Sequence, residues 1–339
     1  MSHQRKDRAA NNPPRIGITF GDPAGVGPEV ALRSLASTFP HTDFVPVIIG
    51  RMAVIEAHYS SFFHLLVPFV ADSLPPEGKI FIDDQPASDP VPAPGKGNAD
   101  TARESLRYID RSIELWKEGL IDAVVTGPVN KGYIEQSGVP FMGHTEYYAD
   151  KLGKEPFMMM FSRDYRVLLV TTHFSVAELP ALVTLDSICR TVRAGNEALS
   201  LIDGKKPRIA LCGFDPHCGD HGAIGTFDDE ITAQAIALMK KEGIDIDGPF
   251  SSDTIFMPSK WKNYSLVIAH YHDQGLIPFK ILAFESGVNV TLGLDIVRTS
   301  VDHGTAYDIA GKMIAGFESM SEAIRLAVRL VSLRPQSGN

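Results

Sequence analysis

Short apolar runs alternate along the chain with longer stretches in which apolar positions recur every three or four residues. Residues 15–20 (RIGITF), 44–49 (FVPVII), 79–82, 123–126 (AVVT), 166–171 (RVLLVT), 208–211 (RIAL) and 266–269 (LVIA) read as buried strands. Residues 101–118 carry Leu106, Ile109, Ile113 and Trp116 on one stripe and read as an amphipathic helix, with Thr101 and Glu104 at capping-box spacing. Further helices are predicted over 30–35, 185–202, 230–242 and 320–333. Strands alternating with helices predict an α/β fold with a mostly parallel sheet. Residues 72–98 are rich in Pro and polar residues and read as a loop around one short strand. No linker separates two halves, so any domains are expected to be discontinuous in sequence.

Length changes this picture only by suggesting two domains, or one large one, for 339 residues. A hydrophobic share of 44% is enough for a sizeable core. A net charge of −9 argues against nucleic acid as the main partner, since phosphate backbones need clustered cations. No apolar run approaches the roughly 20 residues of a membrane span, so no membrane association is expected. Residues 1–14 are polar, lack the apolar core of a secretory signal, and read as a loose tail. Cys189, Cys212 and Cys218 form an odd set without CxxC spacing, which points to reduced thiols and a cytoplasmic location.

In parallel α/β sheets, ligands gather beyond the carboxyl ends of strands. His173 follows RVLLVTT, His217 follows RIALCGFDP and His272 follows LVIAHY. Three imidazoles on separate turns suit a divalent ion with one position left open, if the fold brings them together. Otherwise they are ordinary loop residues. His221 and His270 near the same turns read as supporting or solvent-facing groups. His144 and Thr145 open a helical stretch, where free backbone N–H groups favour an anion, or where Thr145 serves only as a cap. Lys280, Asn289 and Arg298 offer two cations and an amide for a phosphate clamp, or else ordinary surface. GDPAGVGPE (21–29) reads as a tight turn between a strand and a helix and lacks a G-x-G-x-x-G fingerprint. In DHGTAYDIAGK (302–312) the small residues permit close backbone approach, and Asp308 can accept from ribose hydroxyls.

Taken in order, GDPAGVGPE, TGPVNK (126–131), GHTE (143–146), DPHCG (215–219), GPFSSDT (248–254), YHDQGLIPFK (271–280) and VRTSVDHGTAYDIAGK (297–312) closely resemble the 4-hydroxythreonine-4-phosphate dehydrogenase family of vitamin B6 biosynthesis. The likeness spans nearly the whole chain after the tail. It implies two α/β/α subdomains of the isocitrate/isopropylmalate dehydrogenase type with the active-site cleft between them. A cofactor-binding domain is expected over 15–130 with 285–339, and a metal, substrate and dimerisation domain over 131–284.

The resemblance further implies a cytoplasmic homodimer acting on a small phosphorylated substrate. A divalent metal (zinc first, with magnesium, cobalt or manganese as alternatives) would be held by His173, His217 and His272, the last from the partner subunit. His144, Thr145, Lys280, Asn289 and Arg298 match the substrate positions. His303, Gly304, Thr305, Ala306, Asp308 and Ile309 match the loop that binds NAD. The activity implied is oxidation and decarboxylation of 4-phosphooxy-L-threonine to 3-amino-2-oxopropyl phosphate, with His272, Asp253 and Asp273 in the catalytic set. In that scheme Asp253 recognises the amino group and Asp273 orients a metal-bound imidazole. DPHCGDHG, the extra His270 and the serines at 251 and 252 depart from the family pattern. They leave open a paralogue acting on 4-phospho-threonate or 4-phospho-erythronate. A metal-dependent hydrolase is the alternative from another class.

Overall fold

A computed structural model describes residues 13–38 and 43–334 of the chain. Most of the expected tail lies outside the described residues. Twelve strands follow in chain order: β1 (Arg15–Thr19), β2 (Val45–Gly50), β3 (Leu66–Pro68), β4 (Ile80–Asp84), β5 (Ala123–Thr126), β6 (Phe157–Phe161), β7 (Arg166–Leu169), β8 (Ile209–Cys212), β9 (Ile246–Phe250), β10 (Leu266–Ala269), β11 (Val288–Leu292) and β12 (Val297–Val301). The chain divides into two compact units, residues 1–153 with 294–339 and residues 154–293.

In the first unit the strand order is β3-β4-β2-β1-β5-β12 and every pairing is parallel. β1, β2, β5 and β12 are buried at every position, as expected of strands covered on both faces. The helix Ala99–Lys117 packs Leu106, Ile109 and Ile113 inward. It begins earlier than its periodicity suggests. Asn98 is the cap, accepting from the N–H groups of Asp100 and Thr101, while Thr101 Oγ1 answers the Asn98 N–H at 3.1 Å. The box therefore closes on Thr101 rather than starting there. Residues 131–153, expected in the other domain, belong here: Ile134, Phe141, Tyr148 and Ala149 close one cluster with Ala102, Leu106, Ile109 and Ile113.

The second unit has the order β11-β6-β7-β10-β8-β9. β11, β6 and β7 pair antiparallel, and β7, β10, β8 and β9 pair parallel. Residues 285–293, expected in the first domain, fall here because β11 pairs with β6. The expected helix over 230–242 starts as a wider π-type turn, Asp228–Thr232, before Ala233–Lys241. Among the described residues, no helix is long and apolar enough to cross a membrane.

Candidate active site

In the first unit the helix His144–Leu152 starts immediately after Gly143, which places His144 and Thr145 in its first turn, where backbone N–H groups lack intrahelical partners. Arg298 on β12 is buried, at 2% exposure. Its Nη2 donates to Thr126 Oγ1 at 2.7 Å and its Nη1 to Thr145 Oγ1 at 3.4 Å. Burial pulls the guanidinium down to about 10, with Tyr148 and Glu146 opposing, so it stays charged at neutral pH. His144 has its Nε2 sealed from solvent without a hydrogen-bond partner. Burial first, then the charges of Arg298 and Lys131, hold its pKa well below the usual value, and the ring is neutral. Gly143 brings its backbone close to the Lys131 Nζ and Glu146 Oε2 atoms. Two cations, a neutral imidazole and a hydroxyl, against the carboxylate of Glu146, make a lining of net positive charge suited to an anionic group of a ligand.

The two glycine stretches of the first unit prove to be one structure. The Val26 N–H donates to the Thr305 carbonyl at 2.9 Å, and a Cβ on Gly25 would stand 2.9 Å from that oxygen, so only glycine lets the segments lie this close. Asp22 is buried and accepts from Ala24 N (2.9 Å), Thr101 Oγ1 (3.0 Å) and Tyr307 Oη (2.7 Å). Burial raises its pKa, and these three donors work against that rise. Glu29, also buried, accepts from the N–H groups of Gly311 and Ala315 at 3.2 and 3.0 Å.

The predicted cofactor residues sit on the loop so anchored. Thr305 is buried, Gly304 and Asp308 are exposed, Ile309 is half-buried and Ala306 takes φ +40°. His303 Nδ1 lies 3.0 Å from the Gly304 carbonyl, an acceptor, so this nitrogen carries the proton. Its Nε2 is sealed without a partner. An orphaned ring nitrogen beside an exposed glycine fits a loop that receives a ligand.

The second unit holds the three candidate ligands on turns beyond β7, β8 and β10. His272 is the first residue of the helix His272–Ala283, and its ring centroid lies 5.4 Å from that of His173. His272 Nδ1 is 2.7 Å from Asp273 Oδ1. The carboxylate accepts that proton and leaves Nε2 as the lone-pair donor, the arrangement usual behind a ligating imidazole. His217 is exposed on the turn Pro216–Asp220 with φ +52°, followed by Cys218 (+56°), Asp220 (+44°) and His221 (+54°). Left-handed backbone costs an ordinary residue roughly 1–2 kcal/mol, and such strain collects at functional sites.

Among the described residues, no group of three His, Cys, Asp or Glu is placed to hold a metal ion. One chain thus pairs His173 with His272, the residue that the resemblance assigns to the partner, and does not add His217 to form a triad. Two adjacent imidazoles, one with its tautomer held by a carboxylate, are the right donors for a divalent ion as far as a single chain goes.

Asp253 is exposed, accepts from Ser251 Oγ at 2.5 Å, and lies near Cys218. Burial, then Asp228 and Asp253, push the Cys218 thiol up to about 11, so it is not a ready thiolate. All three cysteines are free. Lys280 is half-buried in the helix His272–Ala283. Asn289 on β11 has its Oδ1 sealed without a partner.

Sequence reasoning gave no role to Thr126, Lys131, Asp22, Tyr307, Asp228 or Gln274. All but Asp228 stood in quoted motifs: Thr126 and Lys131 in TGPVNK, Asp22 in GDPAGVGPE, Tyr307 in DHGTAYDIAGK and Gln274 in YHDQGLIPFK. Asp228 carried no signal. It is buried and accepts from the N–H groups of Phe214 and Asp215 at 2.8 to 3.0 Å, fixing the turn that leads to His217. His270 is not solvent-facing. It is wholly buried, and burial lowers its pKa to about 4.

Comparison with known proteins identifies the family. The family model for pyridoxal phosphate biosynthetic protein PdxA matches residues 43–327. A 4-hydroxythreonine-4-phosphate dehydrogenase of Desulfosudis oleivorans is 39% identical over 94% of this chain and 96% of its own. A D-threonate 4-phosphate dehydrogenase of Cupriavidus necator is 36% identical over 95% and 98%. The crystal structure of 4-hydroxythreonine-4-phosphate dehydrogenase from Klebsiella pneumoniae, 33% identical, matches with a TM-score of 0.79 over 94% of this chain and 99% of that one. The chain belongs to the PdxA family.

Proposed function

We propose that the protein is an NAD-dependent, metal-dependent dehydrogenase that oxidises and decarboxylates 4-phosphooxy-L-threonine to 3-amino-2-oxopropyl phosphate in pyridoxal phosphate biosynthesis. The observation that carries the reading is the buried Arg298, held on Thr126 and Thr145 beside the neutral His144, in a chain that aligns end to end with phosphorylated-acid dehydrogenases. A buried guanidinium held in place by two hydroxyls is preorganised to bind an anionic substrate group away from the reacting carbon, and that binding energy serves orientation. Lys280 and Asn289 complete the proposed substrate set.

In the reaction, hydride leaves the hydroxyl-bearing carbon and the hydroxyl proton passes to a base. The carboxylate then departs as carbon dioxide, and the carbon that keeps the bonding pair takes up a proton. The loop from His303 to Ile309 would hold a nicotinamide cofactor, which would supply the hydride acceptor. His173, His217 and His272 are the residues that would hold a divalent ion, which would supply Lewis-acid stabilisation of negative charge on the substrate oxygen. Asp273 holds His272 in the ligating tautomer, and Asp253 receives the substrate's amino group. The ligand set is completed by a second copy of the chain, so the working form is a homodimer. Exposed Ile277 and Ile281 on the helix that starts with His272, and Phe284 just after it, support such an association. Free thiols at all three cysteines favour a reducing, cytoplasmic setting.

The 36% identity to a D-threonate 4-phosphate dehydrogenase favours one second reading, in which the substrate lacks the amino group and Asp253 is without its partner. NADH formation measured with 4-phosphooxy-L-threonine, D-threonate 4-phosphate and D-erythronate 4-phosphate, each with NAD and a divalent metal, separates the two. The amino acid is expected to turn over fastest. Preference for D-threonate 4-phosphate would move the assignment to the second reading, and release of phosphate without NADH would replace both with a hydrolase.

A further inference from the structure

The turns that carry His173, His217 and His272 are tied together beneath the surface by two residues with no role in the proposal above. His270, at the end of β10, uses all of its backbone and one ring nitrogen for this. Its carbonyl accepts from the Thr171 N–H at 3.1 Å and the Thr171 Oγ1 at 2.7 Å, two residues before His173. Its ring Nε2 lies 2.8 Å from the Cys212 carbonyl, five residues before His217. A carbonyl only accepts, so Nε2 carries the proton and donates. Its N–H donates to Gln274 Oε1 at 2.7 Å. Gln274 passes the connection on, because its Nε2 donates to the Gly213 carbonyl at 2.7 Å and to Ser252 Oγ at 2.9 Å, next to Asp253.

The ring has little freedom to leave this position. Phe214 and Phe227 stack on each other at 4.2 Å, and both present edges to His270, at 5.7 and 6.3 Å. The Nδ1 of His270 is sealed without a partner, but its other polar groups and the Gln274 amide are paired as above. Buried hydrogen-bonded networks specify one arrangement of the segments they join.

We propose that His270 and Gln274 are positioning residues that fix the relative placement of the 171–173, 213–217 and 270–272 turns, and thereby set the metal affinity of their histidines. The inference rests on the reading of His173, His217 and His272 as metal ligands, but the turn geometry can be followed without any metal. Supporting groups behind ligands are typically worth about 10- to 100-fold in metal affinity.

The test uses the full-length protein stripped of metal and titrated with cobalt(II), following binding by calorimetry and by the visible bands of the bound ion. Amide hydrogen exchange of the metal-free protein is measured alongside. His270→Leu removes the donor to Cys212, whereas His270→Gln places an amide N–H at nearly the same reach. Thr171→Val removes one of two donors to the His270 carbonyl and keeps the fold if the leucine variant does not. His270→Leu is expected to weaken cobalt binding at least about 10-fold, to shift the visible bands, and to speed exchange over 171–174 and 212–218. His270→Gln is expected to stay within about 3-fold of the parent, and Thr171→Val to fall between the two. Parent-like affinity and exchange in His270→Leu, or in Thr171→Val if the first does not fold, would overturn the positioning role and leave the ligand assignment standing. Equal cobalt affinity in the parent and in His173→Ala would instead remove the ligand assignment, and this inference with it.

Discussion

The two units treat their polar groups in opposite ways. In the first, the charged side chains are sunk and engaged: Arg298, Asp22 and Glu29 are each 2% exposed or less, and each is held by named donors or acceptors. In the second, the groups with ligand chemistry stand at the surface. His173 and His217 are exposed and His272 is partly so, while the buried residues His270, Asp228 and the half-buried Gln274 work from behind. A cation that must bind one fixed anion gains from a dry, finished pocket. A ligand that must meet an ion and other donors has to reach outward, and its precision then depends on what holds its turn.

The largest test of this contrast is removal of an outward ligand. His272→Ala deletes a partly exposed ring at a helix start and no core volume, so the protein should unfold at nearly the same temperature as the parent. Turnover should fall by at least about a thousand-fold, the several kcal/mol that Lewis-acid stabilisation supplies. Steady-state rates and a thermal melt check both halves of the expectation. Near-parental rates in chelator-treated buffer would break it.

Replacing the inward cation should behave differently, touching binding and stability together. Arg298→Lys keeps the charge but loses the planar fork that spans Thr126 and Thr145, which is not a conservative change at a two-contact site. KM for the phosphorylated substrate should rise about 30- to 150-fold, the range for breaking a buried charged contact of about 2–3 kcal/mol. Because burial brings Arg298 to about 10, its charge is intact below that pH and is lost as pH rises through it. Substrate affinity of the parent should therefore hold from pH 7 to 9 and drop above 10. Lys280→Ala, on a half-buried side chain, should raise KM less, by about 10-fold. If the two substitutions act equally, the contrast between finished and open sites is lost.

How far the sequence could show this division depends on what each residue signals. β5 and β10 are legible to the residue, because unbroken β-branched and apolar runs between turn residues admit few other readings. β6 (FMMMF) was missed because Met carries no strand preference, and β12 because Arg298 interrupts a run that is buried throughout. The helix His272–Ala283 was masked by Gly275 and Pro278. The glycine is required, since a Cβ there would meet Val167 Cγ1 at 2.5 Å, and the proline removes the N–H that would bond the Gln274 carbonyl. Histidines beyond strand ends were legible from topology alone. Their supports were not, since Asp228 and His270 act through backbone groups of other turns, and no spacing along the chain encodes that.

The smallest effect is expected at the outer edge of the first unit, where its buried anchoring gives way to an exposed carboxylate. Asp308 lies on the loop that Asp22 and Glu29 hold from inside, so its own position is set even though its side chain faces solvent. In the proposed cofactor site, a carboxylate there would accept from a ribose hydroxyl of NAD and repel the extra phosphate of NADP. In the high effective dielectric of an exposed site, one such repulsion is worth only about 1 kcal/mol, or roughly 5-fold. The parent should use NAD in preference to NADP, and Asp308→Asn should narrow the ratio of kcat/KM values by about that factor while leaving KM for the phosphorylated substrate alone. A parent that prefers NADP would remove Asp308 from the cofactor site. A narrowing far beyond 5-fold would show instead that the carboxylate becomes enclosed when the dinucleotide binds, because only a drier setting gives one charge so much weight. The outer edge of the first unit would then share the finished character of its interior.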